Sequence, residues 1–268
     1  MNWVTIGGWI LAGWLLLTGV LFFGQRSLLF HPDRTPPDAG ELRSEGFRPL
    51  PVATEDGLSL TAWHRPAVAG RPTVVLFQGN GGHLGHRILL GEPLARMGFG
   101  LVLAPYRGFG GASGQPSEDG FYRDGRATLA ALGLAPERVA LWGESLGGGV
   151  ATKLAAEAAA AGHPVSGVIL QASFTSVPDM AAMLYPYLPA RWLVRDPFDN
   201  LSRIGSIGAP VLIAHGERDP VVPIAHGRKL FDAAKGPKQA FFVPGASHND
   251  LHAHGLIDRI AAFLDPAR

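Results

Sequence analysis

This chain predicts an α/β fold: a mostly parallel central sheet with helices on both faces. Three observations carry that expectation. Short apolar runs at 73–77, 101–104, 138–142, 165–170, 210–215 and 239–243 alternate with stretches of helical character. The first of them, Thr-Val-Val-Leu-Phe, is apolar throughout, as a strand buried on both faces requires. A glycine cluster, Gln78-Gly-Asn-Gly-Gly82, follows it directly and leaves backbone N–H groups free to face a ligand.

Length and composition set the outer limits. At 268 residues the chain suits one large domain with a sizeable core. Hydrophobic residues make up 47%, and mean hydropathy is +0.15, high for a purely soluble chain. The 23 basic and 22 acidic residues leave a net charge of +1 with no basic run, so nucleic-acid binding has no electrostatic support. There is no cysteine, which excludes disulfides, thiolate catalysis and Cys-based metal sites and leaves the compartment open.

Residues 3–23 contain no charge, and 21 helical residues cross a bilayer core of about 30 Å. A cleaved signal peptide would carry a basic start and a small-residue cleavage site. Here Met1 and Asn2 supply no cation, and Leu21-Phe22-Phe23 is a poor site. A buried helix would show a polar face. The expectation is a single-pass membrane anchor over residues 1–25. Arg26 and Arg34 after the span favour a cytoplasmic body, the free amino group opposes them, and the side stays open.

Residues 26–44 read as a juxtamembrane linker: an amphipathic tail to Phe30, then three prolines and two aspartates within 31–40. Residues 45–268 read as the catalytic domain. Strands at 50–54 and 58–63 flank Asp56-Gly57, a hairpin signal. Pro116-Ser117-Glu118 starts a helix carrying Phe121, Tyr122 and Leu129. Residues 150–161 are Ala-rich and helical, and 256–264 form a closing amphipathic helix. Residues 180–200 are rich in aromatics, leucine and proline, and read as a small lid-like insertion; ordinary core helix with turns is the alternative. No internal repeat is present.

The chemistry centres on Gly143-Glu144-Ser145-Leu146-Gly147. This Gly-x-Ser-x-Gly lies between a strand and a helix, the setting of a nucleophile elbow rather than of a mere glycine turn. A serine nucleophile needs a histidine base and a carboxylate that holds it, in the order Ser, acid, His on this architecture. Asp219, in Gly216-Glu-Arg-Asp-Pro-Val-Val-Pro223, is the candidate acid; Glu217 and Asp196 are rivals, and a helix-capping aspartate is the bland reading. Of ten histidines, His248 lies in the loop directly after the final strand and is the candidate base. His83 and His86 flank the glycine loop, and His215 and His226 flank the acid loop. Backbone N–H groups of Leu146 and of Asn80 or Gly79 are candidates for an oxyanion hole. Phe174, Met183, Leu184 and Tyr187 are candidate pocket residues. No metal or cofactor is needed for this chemistry.

Six motifs in order, Gln78–Gly82, Tyr106-Arg-Gly-Phe-Gly110, Pro116-Ser-Glu118, Gly143–Gly148, Gly216-Glu-Arg-Asp219 and Gly245-Ala-Ser-His-Asn-Asp250, resemble the alpha/beta-hydrolase superfamily. The chain looks like its membrane-anchored serine-hydrolase branch, with the serine aminopeptidase-like and abhydrolase-domain proteins. The resemblance covers residues 45–266 and the N-terminal helix. It departs at Gln78, where relatives carry His, and at Pro105, where they often carry Asp. It implies a carboxylic ester substrate, with a lipid ester or acyl thioester among the options. A serine peptidase is the alternative chemistry, and a non-catalytic binding scaffold is a second, weaker alternative. A dehalogenase would need Asp at the elbow.

Overall fold

The computed structural model describes residues 2–265; the outer ends of the expected anchor and catalytic segments, Met1 and 266–268, lie outside them. In chain order the elements are α1 (Trp3–Leu29), β1 (His31–Pro32), α2 (Ala39–Ser44), β2 (Arg48–Ala53), β3 (Ser59–Arg65), β4 (Thr73–Phe77), β5 (Gly81–Gly82), α3 (Ile88–Arg96) and β6 (Gly100–Leu103). Then follow α4 (Glu118–Leu132), β7 (Val139–Glu144), α5 (Gly147–Ala160), β8 (Gly167–Gln171), α6 (Val177–Leu184), α7 (Ala190–Leu193) and α8 (Asn200–Arg203). The chain closes with β9 (Val211–Gly216), α9 (Ile224–Ala233), β10 (Lys238–Val243) and α10 (Leu256–Leu264).

Eight strands form one sheet in the order β10-β9-β8-β7-β4-β6-β3-β2. Pairing is parallel from β10 through β6 and antiparallel at β6–β3 and β3–β2. The β2–β3 hairpin turns at Asp56-Gly57, with Thr54 Oγ1 donating to Asp56. Strands β4, β6, β7, β8 and β9 are buried along their length, as runs covered on both faces should be. Phe121, Val150 and Leu154 pack on one face of the sheet, and Leu94, Ile260 and Phe263 on the other. Ser117 caps α4 by accepting from the N–H of Gly120, so the helix starts at the expected place.

The sequence reading starts the helix after the serine at 150, because three glycines are poor helix formers; it starts at Gly147. Packing overrides propensity. A Cβ on Gly147 would stand 2.1 Å from the carbonyl oxygen of Phe77, and one on Gly149 would stand 2.5 Å from the Phe198 ring. The glycines let the helix N-terminus press against the loop that follows β4.

Residues 26–44 differ most from expectation. α1 continues past the uncharged run to Leu29. Phe30 is buried, with its ring edge-on to Phe121 at 5.2 Å and Phe198 at 6.3 Å. β1 then pairs in parallel with β5 beside the glycine loop. Burying Phe30 and pairing the backbone of His31 to Asn80 (2.8 Å) outweigh the freedom a proline-rich linker would keep. The stretch is a fastened part of the body.

Candidate active site

Ser145 sits on the turn between β7 and α5 with φ of +51°. That is the left-handed region, which costs a non-glycine residue about 1–3 kcal/mol. The surroundings hold it there: its N–H donates to the carbonyl of Gln171 (2.8 Å), and its carbonyl accepts from the N–H of Gly148 (3.0 Å). Register places Phe77 of β4 beside Gly143 of β7, so the loop leaving β4 runs next to the turn. A Cβ on Gly79 would lie 3.5 Å from the Cβ of Ser145. Leu146, the first residue after the serine, is buried at the start of α5.

Glu144 is clamped from the other side. Arg87 Nε donates to Glu144 Oε2 at 2.5 Å, and Nη2 to Oε1 at 3.2 Å. The same guanidinium lies 4.0 Å from where a Cβ on Gly79 would start. One arginine thus holds the turn and passes beside the glycine loop. Sequence reasoning missed it, because nothing in the spacing of Arg87 and Glu144 marks them as partners.

Asp219 and His248 meet on the loops after β9 and β10. His248 Nδ1 lies 2.7 Å from Asp219 Oδ2. Asp219 Oδ1 accepts from the N–H groups of Val221 and Val222, both at 2.8 Å. His215, fully buried on β9, brings Nε2 within 3.4 Å of Asp219 Oδ2 and 2.7 Å of the Val222 carbonyl. Burial pushes the Asp219 carboxyl up. Hydrogen bonds from His215, His248 and the Val222 N–H outweigh it and hold the group ionised well below the usual carboxylate range. The rivals are engaged elsewhere: Glu217 with Arg228 (2.9 Å), and Asp196 with Arg26 and with the N–H of Glu118.

In the glycine loop, Asn80 uses its side chain and carbonyl to hold the N-terminal segment. Its Nδ2 donates to the Leu29 carbonyl (3.0 Å), and its carbonyl accepts from His31 (2.8 Å). Gln78 is buried, and its Oε1 has no partner among the described residues. Its carbonyl accepts from the Tyr106 hydroxyl at 3.3 Å.

Above Ser145 lies a cavity of about 300 Å³ whose lining is mostly apolar. Its floor includes Ser145, Leu146, Asn80, Phe174 and Val222. α6, α7 and the turns between them, which cap the cavity, form one wall, and this stretch starts at Val177, before the expected insertion at about 180–200. Of the four pocket candidates, Phe174 and Leu184 line the cavity; Met183 and Tyr187 do not. The cavity face of α6 runs Val177, Met180, Ala181, Leu184 at helical spacing, and Met183 projects off that stripe. Met183 and Tyr187 are 45% and 59% exposed. The opposite wall is α1, through Leu21, Phe22, Gln25, Leu28 and others. Among the described residues, no Asp, Glu, Lys or Arg lines the cavity.

Asp33, His83 and His86 bring ligand-type atoms within 4.8 Å of one another. Their hydrogen bonds argue against a cation. His83 Nδ1 accepts from the N–H of Gly85 (3.1 Å), and His86 Nδ1 from that of His83 (3.4 Å). Each neutral ring therefore carries its proton on Nε2, the nitrogen turned toward Asp33 at 3.8 Å. The cluster lies outside the lining of the cavity over Ser145.

A doubly covered parallel sheet with a strained serine at a strand–helix turn defines the hydrolase class of α/β proteins. The family model described as alpha/beta hydrolase fold matches residues 72–201, and the chain belongs to the alpha/beta-hydrolase superfamily. An uncharacterized protein of Mycobacterium tuberculosis is 37% identical over 263 residues, covering 93% of this chain and 92% of that one. The lysophosphatidylserine lipase ABHD12 of Danio rerio is 32% identical over 241 residues, covering 76% of this chain. This chain spans only 62% of that lipase's length. Among solved structures, a Pyrococcus furiosus esterase superposes with a TM-score of 0.68 at 18% identity, covering 89% of this chain and 97% of that one; this likeness speaks for the fold alone.

Proposed function

We propose that this protein is a membrane-anchored serine hydrolase that cleaves a carboxylic ester with a lipid-like acyl group. The observation that carries the reading is the placement of Ser145 on a strained turn at the floor of an apolar cavity. The His248–Asp219 pair on the neighbouring strand ends supports it. So does kinship with a lipase.

In this reading Ser145 Oγ attacks the acyl carbonyl. Because Asp219 is held ionised and can only accept, His248 carries its neutral-state proton on Nδ1 and offers a lone pair at Nε2. Nε2 takes the serine proton, and Asp219 stabilises the imidazolium that results. The oxyanion forms against the N–H of Leu146, at the positive end of α5, and against the N–H of Asn80 or Gly79. Nε2 then returns the proton to the leaving alcohol. Water deprotonated by the same nitrogen opens the acyl-enzyme, and Ser145 regains its proton. A peptidase that grips a free amino terminus needs a carboxylate in its pocket, and among the described residues none lines the cavity.

α1 is long and apolar enough to cross a membrane, and none of it is buried within the body. Its C-terminal turns are fastened to the cap and its extension is buried in the core, which supports an anchor that stays attached. The test is Ser145→Ala. Loss of p-nitrophenyl ester turnover and of fluorophosphonate labelling, with an unchanged circular dichroism spectrum, supports the reading. Unchanged turnover sinks it.

A further inference from the structure

The N-terminal helix supplies one wall of the cavity over Ser145. Thr18, Leu21, Phe22, Gln25, Leu28 and Leu29 line it. Their spacing of three and four residues makes one stripe along α1. Trp9 and Leu16, both 70% exposed, and Val20 and Phe23, at 62% and 81%, lie off that stripe and line no part of the cavity, while Leu28 on it lines the cavity and is 53% exposed. A helix that only tethered a domain would have no reason to share a cavity with the candidate nucleophile.

The sharing is rigidly made. Trp14 Nε1 donates to the Tyr187 carbonyl (3.0 Å), and Gln25 Nε2 to the Leu193 carbonyl (3.2 Å). Gln25 Oε1 accepts from the N–H of Arg195 (2.7 Å), and Arg26 pairs with Asp196 (2.7 Å). Cap and helix therefore form one unit around the space between them.

Depth then identifies what fills the space. From Leu29 to Thr18 the stripe climbs about 16 Å at 1.5 Å per residue. Thr18, Leu21 and Phe22 belong to the uncharged run 3–23, the part of α1 that matches the hydrocarbon layer. Asn80 and Ser145 lie at the other end of the cavity, in the body. The space thus runs from bilayer depth to the serine, with no charged side chain among the described residues that line it. Its volume of about 300 Å³ sits at the small end of the ordinary range of roughly 300–1,000 Å³ for ligand pockets, and suits one chain rather than two.

We propose that α1 is one wall of the substrate site. The acyl chain of a single-chain, membrane-resident ester lies along the stripe from Thr18 to Leu29. It enters from the bilayer between α1 and the α6–α7 cap and brings its carbonyl to Ser145. This rests on the hydrolase reading above and adds the acyl site and the route.

The test uses the full chain in phosphatidylcholine vesicles, with p-nitrophenyl acetate and p-nitrophenyl palmitate as paired substrates. Leu21→Trp and Leu28→Trp fill the stripe; Val20→Trp adds the same bulk on the face turned away. The two filled variants are expected to lower the palmitate-to-acetate ratio of kcat/KM by about 10-fold or more, since each methylene lost from an apolar site matters by that order. Val20→Trp should leave the ratio unchanged. A ratio unmoved by Leu21→Trp and Leu28→Trp, or moved equally by Val20→Trp, overturns the proposal while ester turnover itself upholds the hydrolase reading. No turnover of either ester and no Ser145-dependent fluorophosphonate labelling in the unsubstituted chain sinks both. As a readout apart from turnover, a photoreactive palmitoyl probe should crosslink to 18–29 in Ser145→Ala; crosslinking confined to the exposed face of α1 would contradict the assignment.

Discussion

His248 and Asp219 meet at 2.7 Å through Nδ1 and Oδ2, while Asp219 turns its other oxygen to two backbone N–H groups. Each carboxylate oxygen has a separate task, one fixing the loop and one fixing the ring. Asp219→Asn keeps the shape but can present an N–H to the ring and favour the wrong tautomer. Ester turnover should fall by about 10⁴-fold in kcat with little change in KM. Stability carries a second signature. The folded pKa of Asp219 is depressed, so its stabilising contribution is present above the unfolded carboxylate value near 4 and is lost as pH falls through the folded value. Denaturant midpoints of the two proteins should therefore converge as the pH is taken below about 4. A gap that stays constant down the acid limb would contradict this.

Ser145 stands at a φ of +51° for the sake of its hydroxyl's position, and glycine would hold the same backbone at no steric cost. Ser145→Gly is expected to abolish turnover and yet to raise stability by about 1 kcal/mol, the low end of the strain range. For a chain of this size that is a rise of roughly 2–4 °C in Tm. Ser145→Ala, which keeps the strain, should show no such rise. Calorimetry of the two variants side by side measures the difference directly.

Arg87 and Glu144 form a two-pronged pair with only 17% and 14% of their side chains exposed. Arg87→Met leaves Glu144 charged, largely buried and unpaired, at a cost on the order of 2–3 kcal/mol. The glycine loop beside the arginine should shift as well, lowering kcat about 10-fold. Adding Glu144→Gln removes the stranded charge and should restore most of the stability but not the rate. If the double variant is no more stable than Arg87→Met in urea unfolding, the pair is not coupled as the geometry implies.

Where the sequence succeeded and where it failed has a physical pattern. The strands of the sheet centre were legible because runs such as Thr73–Phe77 are apolar on both faces, which few other structures tolerate. Ser145, Asp219 and His248 could be picked out as candidates because each follows the end of a strand, and the last two lie 2.7 Å apart. Long-range partners were not. Nothing in the order of residues says that Phe30 ends between Phe121 and Phe198, or that Arg26 reaches Asp196 across 170 positions. The α1 stripe that lines the cavity is present at helical spacing in the sequence. In a segment this apolar it is indistinguishable from lipid-facing residues until α6 and α7 are placed against it.

Two of the contacts that fasten the end of α1 to the body should differ in energy. Arg26 pairs with Asp196 but is 41% exposed, so solvent screens the pair. Asp196 also keeps the N–H of Glu118 when the arginine is lost. Arg26→Met should therefore cost only about 1 kcal/mol. Phe30 is 5% exposed, wedged edge-on against Phe121 and Phe198. Phe30→Ala removes that area and leaves a cavity beside α4, at a cost of about 3–5 kcal/mol. In a chain of this length each kcal/mol shifts Tm by about 2–4 °C, so the alanine variant should melt at least about 6 °C lower and the methionine variant within about 4 °C of the parent. Hydrogen exchange separates the two further. Phe30→Ala should speed exchange in α4 and in the α6–α7 cap together, because the wedge supports both the core and the helix that backs the cap. Arg26→Met should speed it in the cap alone. Equal losses from the two substitutions would mean that the ion pair, not the buried ring, holds α1 in place.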